Sequence, residues 1–395
     1  MKQLPPRLTA LAAALLSPLL SFAQEATPPD TLDSPSLPIR AAEGLIDVAE
    51  TVLDALTIER QNCTLALYPA GSYSGRSGFA LGIMPMLQFR SDRLPRPATI
   101  TPAILVSTKR MFEVQCDADV FFSHRLDLTA KFEAARQPDD LYSVGNQRHK
   151  HSIARYDFNR QMLTAEILKG IGESSPWRIG VSADFDRYRF TDVEPDEGRE
   201  AEAARLVRNA DGAHLGFGVT VGVDSRDDAL WPRHGSYVRL KALAYARLSG
   251  KSGPFGAATL DARRYFGIAN QHMVLALQAF ADIRMGDAPT AKLATCGGTR
   301  LGRAIGHNLK YTDDTAWLAQ VELRAPLFWR VGATAFGAAG NVCHSLHDVA
   351  DNLHLMGGLG LRLAVFEGKG LNLRLDGGIS NRGDKAIYFN IREAF

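Results

Sequence analysis

From about residue 62 to its end, this chain alternates apolar and polar side chains one for one, over segments of ten residues or more. In HLGFGVTVGVD, Leu215, Phe217, Val219, Val221 and Val223 share one face. His214, three glycines, Thr220 and Asp224 take the other. WRIGVSADFDR sets Ile179, Val181, Ala183 and Phe185 against Arg178, Ser182, Asp184 and Asp186, and LNLRLDGG sets three leucines against Asn372, Arg374 and Asp376. Successive side chains of a strand point to opposite faces, so each segment has one apolar and one wet face. The segments are long. A membrane-spanning strand needs about 9–11 residues, whereas strands of soluble domains have a mode of about 5–6. The wet faces also mix both signs of charge, as with Asp127, Lys131 and Glu133 in RLDLTAKFE. A bilayer offers no partner to a strand's N–H and C=O groups, so spanning strands must close on themselves. The expected fold is all-β, a transmembrane antiparallel β-barrel.

About sixteen candidate strands follow, from 62–70 to 385–395, an even number as bacterial barrels require. If the last strand ends in the periplasm, the long connections around 191–212 and 285–315 fall outside the cell, and IANQ, LFW and EGKG become short periplasmic turns. That asymmetry is the one expected of such barrels. The final segment, AIYFNIREAF, alternates Ile387, Phe389 and Ile391 and ends on Phe395, an aromatic expected in the interfacial girdle.

Residues 1–23 have the layout of a secretory signal peptide: Lys2 and Arg7, an apolar run, then Ser21 and Ala23 at a cleavage site. Residues 24–61 are expected to hold a flexible linker and an amphipathic helix with Leu45, Ala49, Val52 and Leu56 on one face. This helix is either periplasmic or a plug within the pore. The barrel itself would occupy 62–395. No later apolar run reaches the roughly 18 residues of a membrane helix, and the net charge of +2 gives no nucleic-acid footprint.

Enzyme signatures are absent. GSYSG places Tyr73 where a nucleophilic serine would stand, and the glycines of CGGTRLGRAIG do not form a phosphate loop. Neither catalysis nor a cofactor is expected. CHSLHD, Cys343–Asp348, with His354 nearby, is the best metal candidate, but it lies in an outer loop and no metal is expected there. Of the four cysteines, Cys296 and Cys343 fall on the outer side by strand parity and form the candidate disulfide.

Several motifs together resemble the BamA/TamA-type surface-antigen barrels, in the superfamily that also contains two-partner-secretion translocators. DSRDDALWPRHGSY resembles the family's turn, with Asp224, Arg226 and Asp227 ending one strand and Pro232 and Gly235 opening the next. YFNIREAF resembles the family's chain end, although Glu393 stands where an apolar residue is common. GGTRLGRAIGH occupies the place of the long sixth extracellular loop, with five strands after it.

The resemblance implies that this loop folds back into the lumen and that its tip arginine, Arg303 in GRAI, pairs with inner-wall acids. Glu322 in AQVELRAPL is the implied partner, facing inward with Gln320 and Arg324. In the following strand, Phe336 and Gly340 match the family's wall motif, but Ala338 replaces its aspartate. A lumenal guanidinium with too few carboxylates is costly, so Arg303 is expected to take Glu322, another inward acid such as Asp282, or water.

The resemblance further implies a monomeric outer-membrane protein of a Gram-negative bacterium, surrounded by lipid and acting on unfolded or secreted protein. The stretch from Gln24 to Arg60 is too short for a POTRA domain. A short first strand carrying Pro69, unable to donate a ladder bond there, would make the seam with the last strand weak. The alternative is a passive or structural pore plugged by its sixth loop.

Overall fold

The alternating segments become strands, and their order closes a barrel. A computed structural model describes residues 57–395 apart from 75–77, 92–97, 124, 148–150, 173–174, 229–230, 271, 299, 308, 329, 367–370 and 392. The expected signal peptide and amphipathic helix lie outside the described residues. The strands are β1 (Thr57–Arg60), β2 (Cys63–Ser74), β3 (Gly78–Phe89), β4 (Ala98–Ser107), β5 (Phe112–Ser123), β6 (Leu126–Leu141), β7 (Ala154–Gly170), β8 (Trp177–Pro195), β9 (Gly212–Asp224), β10 (Gly235–Gly250), β11 (Phe255–Ile268) and β12 (Met273–Gly286). After these come the two-residue strands β13 (Ala294–Thr295) and β14 (Thr312–Asp313), then β15 (Thr315–Phe328), β16 (Val331–Cys343), β17 (His354–Phe366), β18 (Leu371–Ser380) and β19 (Lys385–Ile391).

Sixteen of them, β2–β12 and β15–β19, pair antiparallel in chain order, and β19 returns to β2. That return is thin among the described residues: Tyr73 opposite Phe389 is its one registered pair there, whereas β2 and β3 pair without a break from Cys63–Phe89 to Ser74–Gly78.

The faces are inverted relative to a soluble sandwich. On β9, Phe217 and Val219 are 60% and 55% exposed, while Thr220 between the same rows is fully buried. Leu359 and Ile379 are exposed on β17 and β18, and Asp376 and Arg374 are buried. The apolar row therefore faces lipid and the wet row faces the lumen. No helix among the described residues is long and apolar enough to cross a membrane.

Long connections gather at one end of the barrel. Between β8 and β9 lies a helix, α1 (Glu200–Ala210), whose Ala203, Leu206 and Ala210 pack on Leu141, Ile153, Tyr156, Phe158 and Phe190. From sequence alone that stretch is expected to be a plain connection.

Three boundaries differ from expectation. Residues 57–60 are not linker but β1, a hairpin arm paired with β2 from Thr57–Ala66 to Arg60–Cys63. β2 is not short: it has twelve residues, and Pro69 sits in register opposite Ile83. The last strand stops at Ile391. Phe395 is buried against Tyr265, Val274 and Ala276 instead of standing in a girdle, because Arg324 Nη2 donates to its main-chain oxygen at 2.7 Å and draws the segment inward.

Candidate functional site: the sixth loop and its inner wall

Residues 287–314 join β12 to β15 and form the sixth connection at the long-loop end. Its stem is narrow, because β13 pairs with β14. Arg284 fastens the base: Nε donates to Lys292 O (2.6 Å), and its own main-chain N–H donates to Asp314 O (2.6 Å). The tip is a tight turn in which Ile305 N donates to Gly302 O (2.8 Å) and Gly298 N to Ile305 O (3.3 Å). Gly302 holds φ +66°, a conformation that side chains beyond glycine rarely adopt.

The small residues of GRAIG let this turn lie flat on the wall. A Cβ on Gly378 of β18 would come within 3.0 Å of Arg303 O and 3.1 Å of Ala304 Cα. Ala304, Ile305 and Tyr311 are buried with Leu318, Val342 and Met356, and Tyr388 Oη donates to Ile305 O at 2.6 Å.

Arg303 is thereby delivered, 1% exposed, to the inner wall. Its Nη1 lies 2.6 Å from Glu322 Oε2 and 3.0 Å from Asp376 Oδ2. Its guanidinium carbon sits 3.7 Å from the ring centroid of Phe336, a cation–π stack.

Neither acid is private to Arg303. Glu322 Oε1 accepts from Arg324 Nε at 2.7 Å. Asp376 Oδ1 accepts from Arg362 Nη1 at 2.6 Å, and Arg374 Nη1 lies 3.5 Å from Asp376 Oδ2. Arg362 Nε in turn donates to Glu393 at 2.8 Å. Four guanidiniums and three carboxylates thus interlock on β15, β17, β18, the last residues and the loop tip. With these side chains almost wholly shielded from solvent, each charge needs the others.

This arrangement answers the sequence reading residue by residue. Arg303 and Glu322 pair as expected, and Phe336 is the arginine's platform. Gly340 makes room for the loop: a Cβ there would come 3.0 Å from Cys296 Sγ. The acid that completes the pair is not Asp282, which is held by Arg284 (2.6 Å) and accepts from Thr259 Oγ1 (2.7 Å). It is Asp376, two strands beyond Ala338. Ala338 packs instead against the apolar cluster under the loop. Glu393, the odd residue of the chain-end motif, belongs to the charge network.

Cys296 and Cys343 are both unbonded. Cys296 lies over Gly340 on the lumen side, whereas Cys343, opposite Thr315, belongs to the row facing away from Gly340 and Val342. Burial pushes the Cys296 thiol up to about 12. Of the CHSLHD candidates, His344 meets Asp314 (2.6 Å) beside Asp313, their ligand atoms within 4.8 Å of one another at the exposed rim, whereas His354 Nε2 meets Asn146 Oδ1 (2.5 Å) and takes no part.

The turn motif holds itself together mainly by its own side chains. Asp224 accepts from Arg226 Nε (2.9 Å) and Nη2 (2.8 Å), and Arg226 stacks on Tyr237. Asp227 Oδ1 accepts the main-chain N–H groups of Arg233 (2.9 Å) and His234 (3.1 Å). Pro232 is buried. Gly235 has φ +97°, and a Cβ there would meet Ser225 O at 2.1 Å. Trp231, in the same turn, approaches Arg324, ring centroid to guanidinium 5.5 Å, so the turn touches the edge of the charge network.

A lumenal loop arginine held by wall carboxylates is what the resemblance implied. Residues 107–395 match the Omp85 superfamily domain. The chain belongs to the Omp85 superfamily. It is an outer-membrane β-barrel protein. No curated protein matches the sequence. Among solved structures, BamA from Haemophilus ducreyi lacking POTRA domains 1–3 is similar, with a TM-score of 0.56 at 12% identity over 85% of this chain and 70% of that one. CdiB from Acinetobacter baumannii is similar over 84% of this chain and 60% of that one (TM-score 0.53, 12% identity), and CdiB from Escherichia coli over 85% and 63% (TM-score 0.53, 10% identity). At such identities the likeness is one of fold. This Omp85 barrel spans less than two thirds of either CdiB chain.

The Omp85 loop has a second buried anchor, which sequence reasoning missed. Lys292 Nζ lies 3.0 Å from Asp184 Oδ2 and also contacts Asp186, both on the inner face of β8. The alternation did place these aspartates on the wet face. It carried no signal that a lysine 106 residues or more away would reach them.

Proposed function

We propose that this Omp85 barrel takes part in inserting proteins into the outer membrane or moving them across it, with its sixth loop closing the lumen while it rests. The observation that carries the reading is the buried Arg303, clamped between Glu322 and Asp376, in the same barrel whose closing seam has one registered pair among the described residues. A clamp built of charge can be undone by exchange for other charges, and a thin seam leaves strand edges able to pair with an incoming strand. No catalytic step is part of the proposal.

The test is deletion, followed by comparison of outer-membrane and surface proteins, with complementation by the wild type and by a disulfide joining β2 to β19. The reading expects specific proteins to be depleted, restored by the wild type and not by the locked form under oxidising conditions. An unchanged protein complement would leave the plugged passive pore. That alternative also separates in planar bilayers: a clamped barrel gives small flickering currents that grow in Arg303→Ala, whereas an open pore gives large steady currents in both.

A further inference from the structure

The outward wall of β6–β8 differs from its surroundings at the long-loop end. Register places Phe132, Leu163 and Phe185 side by side on one outward rung. The next outward rung is Ala134, Gln161 and Arg187, and the one beyond is Arg136, Asn159 and Arg189. Phe132 and Leu163 are exposed, as are all three arginines. Two residues of strand rise about 6.6–6.8 Å, so the guanidiniums begin one rung past the last apolar side chains, and their flexible stems can lie back over that rung. On other strands the same end stays apolar: Phe79, Leu248, Met285 and Leu355 are exposed there.

The arginines point away from the lumen and take no part in holding the sixth loop. Arg187 has no carboxylate partner among the described residues. Arg136, itself exposed, makes a long hydrogen bond to half-buried Asp157 (3.4 Å) and lies 4.0 Å from exposed Asp192, and pairs of an exposed arginine hold its side chain weakly. Arg189 lies within electrostatic reach of Asp211, whose carboxylate is already engaged by Phe190 N at 2.6 Å.

We propose that this face is a binding surface for a phosphorylated glycolipid of the outer leaflet, its acyl chains on the Phe132–Leu163–Phe185 rung and its phosphates on Arg136, Arg187 and Arg189. A guanidinium matches a phosphate with two parallel donors. Three of them within two rungs suit a headgroup carrying more than one phosphate. The ligand is membrane lipid and not free phosphate, because the apolar rung directly below is continuous with the lipid-facing belt. The proposal rests on the long connections facing outward, and it needs no protein client, so it stands or falls apart from the function proposed above.

The test uses the purified full-length protein in detergent, with bis-phosphorylated lipid A, the same lipid stripped of phosphate, and inorganic phosphate as probes, read by native mass spectrometry and by competition with a labelled lipid. A juxtamembrane arginine at an anionic surface contributes about five-fold each. Arg136→Gln/Arg187→Gln/Arg189→Gln should therefore bind the bis-phosphorylated lipid about 100-fold more weakly. Lys385→Gln, removing an exposed cation on β19, should bind as the wild type does. The dephosphorylated lipid should bind the wild type no better than the intact lipid binds the triple variant. Equal binding by the triple variant, or equal loss in Lys385→Gln, would overturn the proposal. Full displacement by millimolar inorganic phosphate would overturn it too, by showing an anion site indifferent to lipid. Heat-modifiable gel mobility checks that the triple variant is a folded barrel, and Arg187→Gln alone, expected to weaken binding about five-fold, carries the test if it is not.

Discussion

The sixth loop is held at both ends by buried charge, but the tip and the stem use different chemistry. At the tip a planar guanidinium reaches two carboxylates from one nitrogen and stacks on Phe336, within a network of three further arginines. At the stem a compact ammonium, Lys292, sits between Asp184 and Asp186, with Tyr245 also on Asp184 and Arg160 Nε 3.8 Å from Asp186. Each carboxylate at the tip is shared among arginines that themselves depend on it. At both ends each carboxylate keeps a second partner if the loop's cation leaves, Arg324 and Arg362 at the tip and Tyr245 and Arg160 at the stem, but only the tip's partners are tied to one another through shared carboxylates. The tip should therefore behave as a unit that fails together, and the stem as a contact that can be released alone.

The largest effect should come from breaking the tip. Arg303→Ala removes the cation that Glu322 and Asp376 share and the stack on Phe336 but leaves those acids to Arg324 and Arg362, so the expected cost is about 3 kcal/mol, the low end for breaking a buried pair. The expected outcome is a loop open to limited proteolysis within 287–314 and an enlarged conductance, in a barrel that still shows heat-modifiable mobility. Arg303→Lys should fall between: it keeps the charge but loses the planar stack on Phe336, worth roughly 2 kcal/mol when desolvated. A variant Arg303→Ala with wild-type proteolysis would show that the apolar contacts of Ile305 and Tyr311 hold the tip unaided.

Glu322→Gln and Asp376→Asn sharpen the idea of a shared network. Neighbouring members of one ion network are expected to be non-additive by about 0.5–3 kcal/mol. Urea unfolding from vesicles of each single variant and of the pair would give that coupling. Additivity would mean that the two acids clamp Arg303 independently.

The stem should respond less. In Lys292→Met the two aspartates retain Tyr245 and Arg160, so the expected loss is about 1–3 kcal/mol. Proteolysis should open the region near 290–295 while the tip stays protected. Simultaneous release of both ends would show that the stem is part of the lock.

What sequence could and could not foresee follows the same division. Strand positions, the inverted faces, the identity of the sixth loop and the pairing of Arg303 with Glu322 were all legible, because period-two alternation fixes which side chains share a face and the motifs fix which loop folds inward. Asp376 was legible as an inward residue on LNLRLDGG but not as the partner. Its place beside Arg303 depends on how far the loop tip travels across the wall, and Gly378, over which the tip lies, is what permits it. The disulfide failed for a related reason: parity of loops locates an end of the barrel, whereas a bridge requires a common face. The inward fold of Phe395 escaped because strand alternation was extended past Ile391, where Glu393 is claimed by Arg362. The stem anchor had no local signal at all.

The smallest effect should be a pH-dependent one, outside the membrane, at the turn between β18 and β19. There Asp384 binds Lys310 Nζ at 2.5 Å and accepts from Tyr311 Oη at 3.1 Å, tying the returning arm of the loop to the rim. Burial would raise this carboxyl, but the hydrogen bond and charge of Lys310, with the donors Ser380 and Tyr311, outweigh it and hold the group below its ordinary value. A carboxyl lowered in the folded state adds stability that is present above its unfolded value, near 3.9, and is lost as the pH falls through the lower folded value. Loop protection at 309–313 should accordingly be flat from pH 7 down to about 4 and decline below that. Asp384→Asn should remove the decline and weaken the contact by about 1 kcal/mol at neutral pH. If protection instead declined between pH 5 and 7, Asp384 would not be the residue that times the loop's release.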